Sequence, residues 1–201
     1  MANVKKTWGL ISLSSVPLVM TLGNSMLIPV LPTIGKELEI SSFMVSLLIT
    51  AYSVVAIVFI PIAGYLSDHI GRKQVIVPSL IIAGVGGFIA GVASWKMADP
   101  YWVILIGRLL QGIGAAGAAP IVMPFVGDLF KDKQQVSEGL GLIETSNTFG
   151  KVLSPIFGAL LASFIWFMPF FCISSFFCTL AILLVIFLVE TPEKMKKPKK
   201  F

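Results

Sequence analysis

"VVAIVFIPIAGYLSDHIGRKQVIVPSLIIAGVGGFIAG", residues 54–91, sets ten mostly polar residues, 64–73, between two runs that are apolar almost without interruption. A hydrocarbon core about 30 Å thick takes roughly 20 apolar residues per helix, so the stretch reads as helix, loop, helix across a membrane. Working outward, the rest of the chain divides the same way, with candidate spans at about 8–31, 43–66, 75–95, 101–124, 138–161 and 166–189. Composition agrees. Of 201 residues, 56% are hydrophobic and 12% charged, against about a quarter charged in a soluble domain. The expected fold class is an all-α membrane protein of six transmembrane helices. The bundle is expected over residues 1–190, with a basic tail over 191–201. The first apolar run is longer than the roughly 7 to 15 residues of a signal peptide and has no small-x-small cleavage site, so it is kept as a helix.

Lys and Arg concentrate in cytoplasmic loops. With six spans and both ends on one side, that side holds Lys5, Lys6, Arg72, Lys73, Lys131, Lys133, Lys194, Lys196, Lys197, Lys199 and Lys200, and the other only Lys36 and Lys96. Both termini are therefore expected in the cytoplasm. The net charge of +5 is explained by this distribution and does not imply a nucleic-acid partner. The lysine-rich tail is suited to anionic head groups of the lipid bilayer. Cys172 and Cys178 are six residues apart, about 9 Å along a helix and beyond the roughly 7 Å reach of a disulfide. No zinc-ligand spacing, nucleophile elbow or phosphate loop occurs, so no metal, cofactor or enzymatic activity is expected.

Three spans carry small residues at close-packing intervals. Gly87 and Gly91 form a GxxxG pair, the fourth span contains "GIGAAGAAP", and Ser146, Gly150, Ser154, Gly158 and Ala162 recur every four residues along the fifth. Such stripes let backbones approach closely. Pro17, Pro29, Pro61, Pro78, Pro120, Pro124 and Pro155 lie within or at the ends of spans, where each removes a backbone donor and favours a kink.

The fifth span also holds ionisable groups. Glu144, Asn147 and Lys151 stand at i, i+3 and i+7 and so share a helical face, and Arg108 of the fourth span reaches a comparable depth. Each charge at a helix centre costs about 2.5 to 3.5 kcal/mol, and an intramembrane ionisable residue marks a functional site by default. One alternative is that Glu144 only pairs with Lys151 or Arg108 to hold helices together. Two cations against one carboxylate leave a surplus, to be met by a carboxylate from elsewhere, an anionic ligand group or proton loss from Lys151. Asn24, with Thr21 and Ser25 nearby, is a further pathway candidate.

Three motifs resemble the major facilitator superfamily. "GYLSDHIGRK", residues 64–73, is similar to its loop pattern G-x-L-A-D-R-x-G-R-K, with Ser67 and His69 as departures. "RLLQGIGAA", residues 108–116, is similar to its fourth-helix pattern. Gly141, Gly150, Ser154, Pro155 and Gly158 resemble its fifth-helix antiporter pattern, with Ser154 and Ala159 in place of glycines. The resemblance implies a proton-coupled exporter of small molecules, with multidrug efflux as the nearest type, in a bacterial plasma membrane. It implies conformational gating by Gly64, Asp68, Gly71, Arg72, Lys73 and Asp128, and helix packing by Gln111, Gly112 and the fifth-helix set. Family members have about twelve spans in two six-helix halves related by an axis along the membrane normal, and this chain corresponds to the first. The expected partners are a small-molecule substrate, protons, and a second six-helix half or a second copy. A non-transporting six-helix subunit, or a truncated fragment, is the alternative.

Overall fold

The computed structural model describes residues 2–130 and 132–187. The expected basic tail 191–201, Lys131, and the side chains of Lys5, Lys6 and Cys178 lie outside the described residues. Every regular element among them is helical: α1 (Ala2–Ser25), a 3-10 turn (Ile28–Val30), α2 (Leu31–Glu37), α3 (Ser42–Ile70), α4 (Arg72–Lys96), α5 (Tyr101–Leu129), α6 (Lys133–Phe164) and α7 (Met168–Phe187). Each of the six long helices overlaps one expected span. Among the described residues, four segments are long and apolar enough to cross a membrane: Gly9–Glu37, Ser42–Ile70, Arg72–Lys96 and Tyr101–Leu129. The 32 residues of α6 are long enough, but Glu138, Glu144, Asn147 and Lys151 interrupt its apolar surface.

The last residues of the expected first span, 8–31, form the 3-10 turn, and the link expected as a loop after it carries α2. Pro29 and Pro32 sit in the first two positions of these elements, where a missing N–H costs nothing. The in-span prolines do not break their helices either. Pro17, Pro61, Pro78, Pro120, Pro124 and Pro155 all lie inside continuous helices. Hydroxyls are satisfied locally. Ser14, Ser46, Thr50, Ser53, Ser94 and Thr145 each donate to a carbonyl three or four residues earlier, as a dry helix surface requires.

The tightest seam joins α4 to α5. A Cβ at Gly107 would fall 2.6 Å from the Gly86 carbonyl oxygen, and one at Gly114 or Gly117 would collide with Ser79. Further, α3 packs on α5, α7 on α4 and α1, and α6 on α1. The core includes Leu13, Val16, Ile76, Leu80, Ile104, Val122 and Phe125. By contrast α3 buries only Leu48 and Ser67 fully, leaving Val54, Ile57, Val58 and Ile62 exposed. The outer surface of α6 is equally bare at Phe149, Ile156, Phe157, Leu160 and Phe164. Apolar patches of this extent face lipid or another protein body.

Candidate functional site

Arg108 is 1% exposed. Withdrawing a guanidinium from water costs several kcal/mol even after relaxation, and the helices around it supply the compensation. Nη1 donates to Gln111 Oε1 at 2.6 Å, Nη2 to Asn24 Oδ1 at 2.9 Å, and Nε to the Leu48 carbonyl at 3.2 Å. The Tyr52 ring lies under the guanidinium carbon, 4.5 Å from centroid to Cζ. Hydrogen bonds to a charged group contribute about 1.5–3 kcal/mol each, and a desolvated cation–π contact about 2 kcal/mol. Gly112 makes the approach possible, since a Cβ there would sit 2.5 Å from the Tyr52 carbonyl oxygen. Arg108 thus ties α1, α3 and α5 together through neutral acceptors. Among the described residues no carboxylate pairs with it.

The alternative pairing of Glu144 with Arg108 or Lys151 is therefore not formed. The reason is directional: α6 packs chiefly on α1, while Arg108 turns toward α1 and α3. Asn147 is the half-buried member of its face. Thr21 Oγ1 donates to Asn147 Oδ1 at 2.5 Å, and Asn147 Nδ2 points at Glu144 Oε2 from 3.5 Å. Glu144 and Lys151 are exposed. Glu144, Thr145, Thr148, Phe149 and Val152 line an open groove of about 420 Å³ on the uncovered side of α6. The sequence-predicted set is thus brought together in two groups, Asn24 with Arg108, and Glu144 with Asn147.

At the opposite end of α3 a second cluster forms. Arg72 Nη1 meets Asp68 Oδ1 at 2.6 Å, and Nε meets Asp128 Oδ2 at 3.1 Å. Gly71 alone separates α3 from α4 and has φ +110°, a backbone that L side chains rarely adopt. That sharp reversal places Arg72 beside Asp68. Nη1 also donates to Ser67 Oγ at 3.0 Å, while Ser67 Oγ donates to the Gly64 carbonyl at 2.8 Å. Ser67 is fully buried, so one of the two departures from the family pattern is an additional ligand for the arginine. His69 Nδ1 lies 2.8 Å from the Tyr65 carbonyl, and Lys73 is half-buried in the first turn of α4.

The fifth-helix motif is only partly used for packing. Cβ atoms at Gly150 and Gly158 would meet the Leu18 and Met26 carbonyl oxygens, and Ser154 Oγ donates to the Leu22 carbonyl at 3.2 Å. These three seat α6 on α1. Gly141 and Pro155 are exposed, and nothing lies within 4 Å of a Cβ at Gly141, or at Gly64. Among the described residues no close approach is made at those two glycines. Sequence reasoning missed Tyr52, Leu48 and Ser67. Tyr52 was findable as a phenol in an otherwise apolar span, whereas a backbone carbonyl leaves no trace in composition.

A bundle of long apolar helices with a buried arginine clamp defines a multi-pass integral membrane protein. Its sequence matches the Major Facilitator Superfamily over residues 13–201, and the chain belongs to that family, whose members are transporters rather than enzymes. It is 70% identical over 162 residues to the bacillibactin exporter of Bacillus subtilis, a match covering 80% of this chain and 40% of the relative. Multidrug resistance protein 1 of the same organism is 32% identical, with 86% of this chain and 43% of the relative covered. Among solved structures, a bacterial homologue of the human lysosomal transporter Spinster, inward-facing and unoccupied, superposes with a TM-score of 0.82 at 18% identity. That match spans 98% of this chain and 46% of the other. The chain spans less than half the length of the curated relatives it matches.

Proposed function

We propose that this chain is the amino-terminal six-helix half of a small-molecule exporter that works by alternating access and exchanges protons for its substrate. The observation that carries the reading is the uncovered face of α6. Glu144 and Lys151 are exposed there, Glu144 lining a groove, and charges in lipid are tolerated only where they border a polar cavity or a partner. A second six-helix body, on another chain or as a second copy, closes that cavity. All six long helices cross the membrane, and both termini are cytoplasmic, as the Lys and Arg distribution requires.

The Arg72 cluster joins the α3–α4 turn to the end of α5 on the cytoplasmic side, and its making and breaking accompanies the change of state. The exported compound is of the kind named for the relative at 70% identity, bacillibactin. Lys151 on the same exposed face as Glu144 offsets its charge, which disfavours cationic substrates.

Everted membrane vesicles carrying the complete assembly test the coupling. Substrate addition is expected to release protons detectable with a pH-sensitive dye, and Glu144→Gln or Lys151→Gln to suppress that signal. Unchanged proton exchange in both variants would rule the reading out.

A further inference from the structure

Asn147 joins a hydroxyl of α1 to a carboxylate on the uncovered side of α6, and chemistry fixes which way its amide points. An ionised carboxylate only accepts, so the amide atom 3.5 Å from Glu144 Oε2 is the nitrogen. Oδ1 is therefore turned to α1, where the Thr21 hydroxyl stands 2.5 Å away. An amide oxygen cannot donate, so Thr21 must. The direction of this bond between α1 and α6 is thus set by the charge state of Glu144.

No other ionisable group around Asn147 competes for that role. Beyond Lys6, α1 has no ionisable side chain, the 3-10 turn has none, and α7 has only Cys172 and Cys178. On α5, Tyr101 donates to the Met44 carbonyl, Arg108 is held in its clamp and Asp128 pairs with Arg72. On α6 itself the nearest charges are Lys151, one turn beyond Asn147, and Glu138, six residues before Glu144. Among the described residues Lys151 forms no ion pair with Glu144. The seam is also tight here. A Cβ at Gly150 would fall 3.2 Å from Thr21 Cβ and 2.9 Å from the Leu18 carbonyl oxygen, and Asn24, one turn further along α1, accepts from Arg108.

We propose that Asn147 and Thr21 are positioning residues that transmit the protonation of Glu144 to α1, which rests on the proposed exchange of a proton by Glu144. When the carboxylate takes up a proton, its new O–H donates to Asn147 Oδ1 and the amide turns over. Nδ2 then faces Thr21 Oγ1, which accepts. The hydroxyl proton of Thr21 turns to the Pro17 carbonyl, one turn back, the kind of bond that Thr50 and Ser53 make on α3. Such back-bonding bends a helix slightly, and the turn it moves is the one leading to Asn24 and the arginine clamp.

Nuclear magnetic resonance of threonine-labelled protein, with the full chain in its complete assembly in lipid nanodiscs, tests the relay without transport. The Thr21 signal, identified by its loss in Thr21→Ser, is expected to shift reversibly as the pH is lowered from neutral. The shift is expected to vanish in Glu144→Gln, which takes up no proton, and in Asn147→Leu, where Glu144 still titrates but the amide is gone. A Thr21 signal blind to pH, or one that responds equally in either variant, would overturn the proposal. The Glu144→Gln comparison stands even if Asn147→Leu does not fold. A Thr21 response without substrate-driven proton release in vesicles would instead count against the exporter and leave the relay in place.

Discussion

At Arg108 the sequence announces a charge, and the structure shows how three neutral oxygens and one ring receive it. Lysine cannot take its place without loss. A point charge on a flexible stem serves three divergent acceptors and a ring face less well than a planar fork, so Arg108→Lys is expected to cost at least one charged hydrogen bond, about 1.5–3 kcal/mol. Arg72→Lys, whose carboxylate partners are 59% and 38% exposed, is expected to lose under about 1 kcal/mol. Thermal unfolding of the two variants in detergent checks the difference, and an Arg108→Lys protein as stable as the parent would contradict the clamp. Which side chains carry charge was legible from composition alone. Their partners were not, since the Leu48 carbonyl and the Tyr52 ring reach Arg108 only through the packing of α3 on α5. The opposite holds at Asp68, Arg72 and Asp128, where the motif itself carried the geometry.

Among the elements, glycines separate into those that seat a neighbour and those that face outward. Gly158→Ala forces a methyl group against the Met26 carbonyl and Pro29, an overpacking expected to cost about 1–3 kcal/mol. Gly141→Ala meets nothing within 4 Å and is expected to gain up to about 1 kcal/mol of helix stability. The two substitutions, compared by denaturation in one detergent, are expected to move stability in opposite directions. A four-residue interval of small residues identified the stripe on α6, and Gly150, Ser154 and Gly158 do lie against α1. Interval alone could not show where the stripe ends, because Ser146 and Ala162 at its two ends are only half-buried, and the family pattern did not show that Gly141 lies off the contact face. Nor did hydropathy reveal α2, whose seven residues are too few to show a helical period.

For the whole molecule, alternating apolar runs and polar breaks were enough to anticipate the six long helices, of which four lie in segments long and apolar enough to cross a membrane. Orientation is a claim at this scale too. A cysteine introduced at Asp132, at the start of α6, is expected to react with a membrane-impermeant maleimide only in everted vesicles, and one at Ser41, before α3, only from outside. Reversed labelling would invert the topology. One feature of the arginine clamp bears on how the bundle is made. Asn24, Leu48 and Tyr52 all precede Arg108 in the chain, and Gln111 follows within a single turn. During synthesis, three of the four groups that receive the cation, those of Asn24, Leu48 and Tyr52, have therefore left the ribosome before it does. The guanidinium waits only for Gln111, within the same helical turn, and a permuted gene that placed α5 first would remove that advantage.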